Sequence, residues 1–205
     1  METEIEAKFL DIDVSALRRK LKAAGATLIY PERMMRRYNF DYPDSRLFEI
    51  GGWVRLRDEG DKVTFSYKQL NDRSLHGTKE VETTVGDIEK AAELLTAIGL
   101  EKKNYQETKR EKWQLGDCEI TIDTWPWIPT FAELEAPTEA ELKQLAETLD
   151  LEWSRALHGS VETAYQARYN FTEREIDSWP EIAFVPEPDW LLAKKITTKD
   201  KPGRK

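Results

Sequence analysis

Along much of this chain, apolar and charged residues alternate one by one. In the opening METEIEAKFL, Glu4, Glu6 and Lys8 fall on one side and Ile5, Ala7 and Phe9 on the other, the two-residue period of a β-strand. The same period returns in RRYNFD (36–41), WVRLR (53–57), KVTFSYK (62–68), TKEVETT (78–84), ETKREKW (107–113), EITID (119–123) and FAELEA (131–136). Gly60-Asp61 within EGDK (59–62) predicts a hairpin between two of these strands. Three segments keep a helical period instead. One follows Asp13 through Val14, Leu17 and Leu21 to Gly25, and one follows Asp87 through Ile88, Ala91, Ala92, Leu94 and Leu95 to Gly99. The third opens at PTEAEL, where Thr138 and Glu141 have the spacing of a capping box and Leu142, Leu145 and Leu149 form the stripe. KAAGATLIYPERMMRRYNF and TAIGLEKKNYQETKREKWQ echo one another: helix end, glycine, then a basic strand. From about 171 the chain is rich in Pro, Glu, Lys and Trp, which predicts a covering segment through VPEPDW and a loose basic tail, KKITTKDKPGRK.

The strands bury one face under helices, and their other face is densely charged. Arg55 and Arg57 share a side, as do Glu80 and Glu82, Glu119 and Asp123, and Glu133 and Glu135; Thr108, Arg110 and Lys112 share another, and Lys68 stands in register with Thr64 and Ser66. Charges on that many strands must meet water or each other. A closed barrel of about eight strands, with helices outside and charges inside, satisfies every alternation at once. The predicted fold is therefore α+β, an eight-stranded antiparallel β-barrel with helices packed outside.

Composition narrows the class. The chain has 205 residues, 40% hydrophobic and 34% charged, enough for one sizeable globular domain. A net charge of -8 argues against a general nucleic-acid binder but allows a local basic site for an anion. Cys118 is alone, so neither an internal disulfide nor a Cys/His metal cluster is expected. No signal-like start and no apolar run of ~18 residues is visible, so the expected location is cytoplasmic, away from membranes.

The charges are sorted. Acids dominate the first, fifth, seventh and eighth strands, and bases the third, fourth and sixth. Carboxylates two apart, meeting from several strands, make a hard oxygen site for Mg²⁺ or Mn²⁺. Arginines and lysines beside them suit phosphate. Together these are the components of phosphoryl transfer. A lone E-x-E or R-x-R is ordinarily a solvated face. The argument rests on repetition across the whole set, and on the cost of burying so many charges without a ligand.

With these residues in view, the sequence resembles the CYTH superfamily, the triphosphate tunnel metalloenzymes, which include tripolyphosphatases, thiamine triphosphatases and class IV adenylate cyclases. The resemblance rests on E-x-E-x-K at Glu4, Glu6 and Lys8, NFDYPDSRL with Asp41, R-x-R at Arg55 and Arg57, Lys68, KEVE, Arg110 in TKREKW, and D-x(9)-E-x-E at Asp123, Glu133 and Glu135. It covers about residues 1–170 as a tunnel domain and leaves 171–205 as a C-terminal extension, partly flexible. It implies one or two Mg²⁺ or Mn²⁺ ions held by Glu4, Glu6, Glu80, Asp123, Glu133 and Glu135. It implies a triphosphate held by Lys8, Arg55, Arg57, Lys68 and Arg110, with Arg37 added because its parity with Asp41 turns it inward where Arg36 turns out. Glu4, Lys8 and Arg57 are the expected catalytic residues. Trp53 lies where a thiamine ring could stack, or is simply an aromatic at the barrel mouth. The implied activity is metal-dependent hydrolysis of the terminal phosphate of tripolyphosphate or a related small triphosphate. The alternatives are a class IV adenylate cyclase and a non-catalytic polyphosphate- or nucleotide-binding module. The expected partner is a small triphosphate, with neither nucleic acid nor membrane, and a homodimer is compatible with this. Asn39 departs from the tyrosine of many members. SRALHGSVETAY is expected to give a plug helix at one tunnel mouth, where the lysine of thiamine triphosphatases has no clear match and either Arg155 or His158 could approach its place. His76 reads as a surface-loop histidine.

Overall fold

The alternating segments form one antiparallel sheet in the computed structural model, which describes residues 1–196. The basic tail expected from Lys194 lies, from 197 onward, outside the described residues. The strands are β1 (Glu2–Thr3), β2 (Glu6–Phe9), β3 (Thr27–Asp41), β4 (Gly52–Asp58), β5 (Val63–Leu70), β6 (Thr78–Val85), β7 (Glu101–Leu115), β8 (Cys118–Thr124) and β9 (Phe131–Glu135), with a short β10 (Glu181–Ile182). Their order is β1-β6-β5-β4-β3-β7-β8-β9-β2, and β10 adds to β7 in parallel.

The two ends of that order are one piece of chain. Glu2 pairs with Glu80 on β6, whereas Glu6 pairs with Glu135 on β9. The hand-over falls between neighbours: the Glu4 amide donates to the Thr78 carbonyl at 3.0 Å, and the Ile5 carbonyl accepts from Ala136 at 3.1 Å. The N-terminal strand thus joins both edges of the sheet, and the eight predicted strands curl into a half-barrel bridged there, with β6 beyond Glu80 unpaired on that side among the described residues. Leu157 takes the other edge of β2, exchanging both backbone hydrogen bonds with Lys8 at 2.8 and 2.9 Å.

The strand starts differ from the predicted ones. β3 and β7 each run 15 residues and begin well before RRYNFD and ETKREKW. The cause in β3 is Pro31, which has no amide for a ladder. It sits where the register against β7 shifts between Tyr30 and Arg33, a bulge that hid the earlier strand in the pattern. The internal echo marks two helix-plus-long-strand units whose strands pair along their length.

α1 (Val14–Ala23) and α2 (Ile88–Ala97) start on Asp13 and Asp87, whose carboxylates accept first-turn amides. Both end in the same C-cap: Gly25 and Gly99 take the left-handed conformation, and the next amides reach back to Leu21 and Leu95. At α3 (Glu139–Thr148), Thr138 accepts the Glu141 amide, but the Glu141 carboxylate bonds the Thr138 hydroxyl rather than its backbone. The full capping box forms instead at Thr172 and Glu175, ahead of α5 (Glu173–Asp177).

Three apolar clusters surround the barrel. α1 and α3 cover Ala7, Phe9, Trp113, Ile120, Ile122, Ala132 and Leu134, and α2 covers Phe40 and Leu56. The third cluster seats α4 (Glu162–Gln166), α5 and α6 (Asp189–Leu192) across one end, around Trp125, Phe131, Tyr165, Tyr169 and Trp179. Residues beyond 170 therefore share a core with the barrel. No helix among the described residues is long and apolar enough to cross a membrane.

Candidate active site

Alternate residues of each strand point into the barrel, and the pleat decides which. Arg55 and Arg57 turn inward from β4 while Leu56 is fully buried under α2. Arg37 is buried and Arg36 exposed, as the parity with Asp41 predicts. A cavity of about 680 Å³ is lined by Lys8, Arg37, Trp53, Arg55, Arg57, Lys68 and Arg110, together with Glu6 and Glu133. Glu4, Glu80 and Asp123 reach its wall through those cations.

Most of the cations are neutralised locally. The Lys8 ammonium meets Glu133 at 2.9 Å, Glu6 at 3.1 Å and the Gly159 carbonyl at 2.7 Å. Burial alone would lower its pKa, but Glu133 and Glu6 outweigh burial and hold it above its ordinary value. Lys68 donates to both oxygens of Glu4 at 2.8 Å and lies 3.1 Å from Glu80. Arg110 grips Asp123 with two parallel bonds, 2.6 and 2.8 Å, and Asp123 is only 1% exposed. Arg55 reaches Glu80 at 3.1 Å, yet burial and then Arg57 push its pKa down to about 10.

Arg37 is the exception. It is 6% exposed, and among the described residues no carboxylate lies within ion-pair distance. One terminal nitrogen donates to the Thr108 hydroxyl at 2.8 Å, the guanidinium carbon lies 4.7 Å from the centre of the Trp125 ring, and Nε has no partner. Burial, then repulsion from Arg57, Arg55 and Arg110, drives its pKa well below the ordinary value. A buried guanidinium surrounded by three others is an unsatisfied anion receptor.

The acids carry the opposite imbalance. Burial is the largest influence raising the Glu4 carboxyl to about 8, against Lys68, while its neighbour Glu80 falls to about 2 through Glu4, Lys68 and Arg55. Burial, Glu119, Glu133 and Glu6 raise Glu135 to about 7. Buried carboxylates that retain protons through mutual repulsion have the donor chemistry of a hard divalent cation. Among the described residues, however, no three His, Cys, Asp or Glu side chains converge on one point. Lys8 and Lys68 hold these acids apart. Asp123, expected as a metal ligand, is fully engaged by Arg110.

Several groups at the site escaped the sequence reading. Glu59 is 3% exposed and binds Arg57, Arg33 at 3.6 Å and Lys62 at 3.8 Å. Its signal was present: R-x-R-x-E continues the inward parity of β4 past the strand end. Asn39 donates to Asn104 at 2.9 Å on the cavity wall. The predicted plug forms as α4, but Arg155 points away to Asp11 at 3.6 Å, and His158 bonds the Glu6 carbonyl at 3.1 Å. His76 is exposed near Glu139, as a loop residue.

Residues 2–168 match the CYTH domain. No curated protein sequence is significantly similar to the chain. Among solved structures, the chain is similar to a proposed adenylate cyclase from Vibrio parahaemolyticus, with TM-score 0.70 and 18% identity over 80% of this chain and 98% of that one. It is similar to PH1012 from Pyrococcus horikoshii OT3, with TM-score 0.62 and 21% identity over 75% and 93%. It is also similar to HpAC1 from Hippeastrum, a proposed adenylyl cyclase with a dominant triphosphatase activity, with TM-score 0.54 and 14% identity over 89% and 98%. At these identities the likeness speaks for the fold.

Proposed function

The chain belongs to the CYTH domain family, and from that premise we propose that it is a metal-dependent triphosphatase that removes the terminal phosphate of inorganic tripolyphosphate or another small triphosphate such as thiamine triphosphate. The observation that carries this reading is Arg37, a buried guanidinium without a carboxylate, facing the same cavity as Arg55, Arg57 and Arg110. A bound polyanion would supply the missing counter-charge to all four at once.

Lys8 and Arg57 would neutralise the charge that gathers on the terminal phosphoryl oxygens. Lys68, released from Glu4 and Glu80, would pair with the inner phosphates. Glu4 would take the proton of the attacking water as its oxygen bonds to the terminal phosphorus and the bridging P–O bond breaks, with the electron pair leaving on pyrophosphate from tripolyphosphate or on thiamine diphosphate from thiamine triphosphate. Glu4, Glu6, Glu80 and Glu133, freed from lysine, together with Glu135 would hold Mg²⁺ or Mn²⁺, which when bound supplies Lewis-acid polarisation of phosphoryl oxygens.

One observation favours a second reading, conversion of ATP to cyclic AMP and pyrophosphate. Asn39 and Asn104 present a pair of side-chain amides on the cavity wall, groups able to hydrogen-bond a nucleobase edge. A single experiment separates the readings. The purified protein is incubated with Mg²⁺ or Mn²⁺ and, separately, tripolyphosphate, thiamine triphosphate and ATP. Orthophosphate release is expected, fastest with tripolyphosphate or thiamine triphosphate. Pyrophosphate with cyclic AMP would move the protein to the cyclases. Tight binding without turnover would leave only a binding module.

A further inference from the structure

The barrel wall changes sign along its axis. On β3 the inward positions read Arg37, Asn39, Asp41, and the register sets Arg37 beside Arg57 and Asn39 beside Arg55. On β4 the next inward position is Trp53, which carries no charge, and its neighbour on β5 is Lys68, the last cation of the phosphate site on that side, held by Glu4 and Glu80. Two inward steps, roughly 13 Å along a strand, thus lead from guanidinium through amide to carboxylate. At that end Asn104, the register partner of Asn39, donates to the Asp177 carbonyl at 3.4 Å, and the cavity wall also includes Glu162 of α4 and Glu173 of α5. Asp177 lies past the last residue that matches the family, so this part of the wall belongs to the extension.

Cations at the same rim are already engaged. Arg174 is paired with Glu49, Lys103 with Glu101 at 3.0 Å, and Arg73 with Glu173. Among the described residues Glu162 and Asp177 have no cation within ion-pair distance; Glu162 accepts only from the Ser160 hydroxyl. Glu162, Glu173 and Asp41 lie close enough to Asp177 to repel its charge. The floor of the same cavity holds Arg37 and Arg55, each more than nine-tenths buried with an unpartnered Nε. A polyanion seated on those two levels and extended toward Asn104 and Asp41 would meet Asp177 and, beside it, Glu162.

We propose that Glu162 and Asp177 make this mouth a length gauge: it accepts a chain of three phosphates, whose charge ends on the cationic levels, and rejects a chain whose fourth phosphate would stand against the two carboxylates. The gauge rests on the triphosphatase reading for its substrate, but it can be tested without turnover. Like charges in a partly dehydrated mouth repel strongly, and the penalty falls on affinity.

The test compares tripolyphosphate with tetrapolyphosphate at about pH 8, where free carboxyls are ionised. The wild type is expected to prefer tripolyphosphate in kcat/KM by about tenfold or more, through KM. Asp177→Asn and Glu162→Gln are each expected to raise kcat/KM for tetrapolyphosphate about fivefold and to leave that for tripolyphosphate within about twofold. Using both variants guards against one failing to fold, since Glu162 is the more enclosed. Equal use of the two polyphosphates by the wild type, or an unchanged ratio in both variants, would overturn the gauge. If neither polyphosphate is hydrolysed, the triphosphatase reading falls. Equilibrium binding of the two polyphosphates to metal-free protein then reads the gauge alone, with the same preference expected and the same loss in Asp177→Asn.

Discussion

Arg37 and Arg110 are both buried arginines of the barrel interior, yet they have opposite relations to stability. Arg110 neutralises Asp123, and Asp123 is almost wholly enclosed. Arg110→Ala should leave that carboxylate in the interior without its cation, held only by the Thr121 hydroxyl at 2.7 Å, and cost about 3–5 kcal/mol in denaturant unfolding. Arg37 neutralises nothing within ion-pair reach and is repelled by three arginines. Arg37→Met should leave the ligand-free protein as stable as the wild type or more so, while the rise in thermal midpoint produced by tripolyphosphate shrinks sharply. If Arg37→Met destabilises the empty protein as much as Arg110→Ala does, Arg37 is a structural residue and the anion-receptor reading fails. The same contrast explains what was legible at this scale. Inward parity was enough to select Arg37 over Arg36 and to group Arg55 with Arg57. It did not say that Arg110 would occupy Asp123, because that pair is made across the β7–β8 hairpin, whose register is set by the two-residue turn at Gly116 and Asp117.

Among the elements, the C-terminal segment contributes most beyond the alternating strands. Trp179 is 6% exposed and makes edge-on contacts with Tyr165 at 5.5 Å, Phe171 at 5.2 Å and Trp190 at 5.1 Å between ring centres. Tyr165 in turn meets Trp125, the ring that faces Arg37. Trp179→Ala should cost about 3–5 kcal/mol, measured by chemical unfolding, because the aromatic cluster has no other group to fill the space. A loss below about 1 kcal/mol would mean that the extension is only loosely laid on the barrel. The helices α1, α2 and α3 were readable from their caps and stripes, since both signals are local. The short α4, α5 and α6 were not predicted in detail. Helices of four or five residues have no stable period of their own and exist here through the aromatic core they complete.

At the scale of the molecule, the interior acids make stability depend on pH in an unusual direction. Glu135 has an ordinary value of 4.5 and a folded value of about 7, and Asp177 goes from 3.8 to about 7. A raised folded pKa means that stability is full below the unfolded value and is lost as pH rises through the folded one. Metal-free protein should therefore melt at a lower temperature at about pH 8 than at about pH 5, by an amount on the order of 2 kcal/mol. Glu135→Gln should flatten that dependence, and Mg²⁺ should restore the midpoint at the higher pH by replacing the lost protons. A melting temperature that climbs steadily from pH 5 to pH 8 without metal would contradict the assigned environment of these acids.

Alternation along the chain was sufficient to predict a sheet with one greasy and one charged face. The sorting of acids and bases among its strands was sufficient to predict a metal and phosphate chemistry, because side-chain direction in a strand is fixed by sequence parity alone. Closure was a different matter. The N-terminal strand changes partners between Glu4 and Ile5, β3 bulges at Pro31, and residues beyond 170 fold back over one end. These long-range pairings set which cation meets which acid: Lys68 with Glu4, Lys8 with Glu133, and Arg37 with none. An ion pair depends on distance in space, so the one cavity arginine without a carboxylate among the described residues, Arg37, and the carboxylates at the mouth came into view only with the folded barrel.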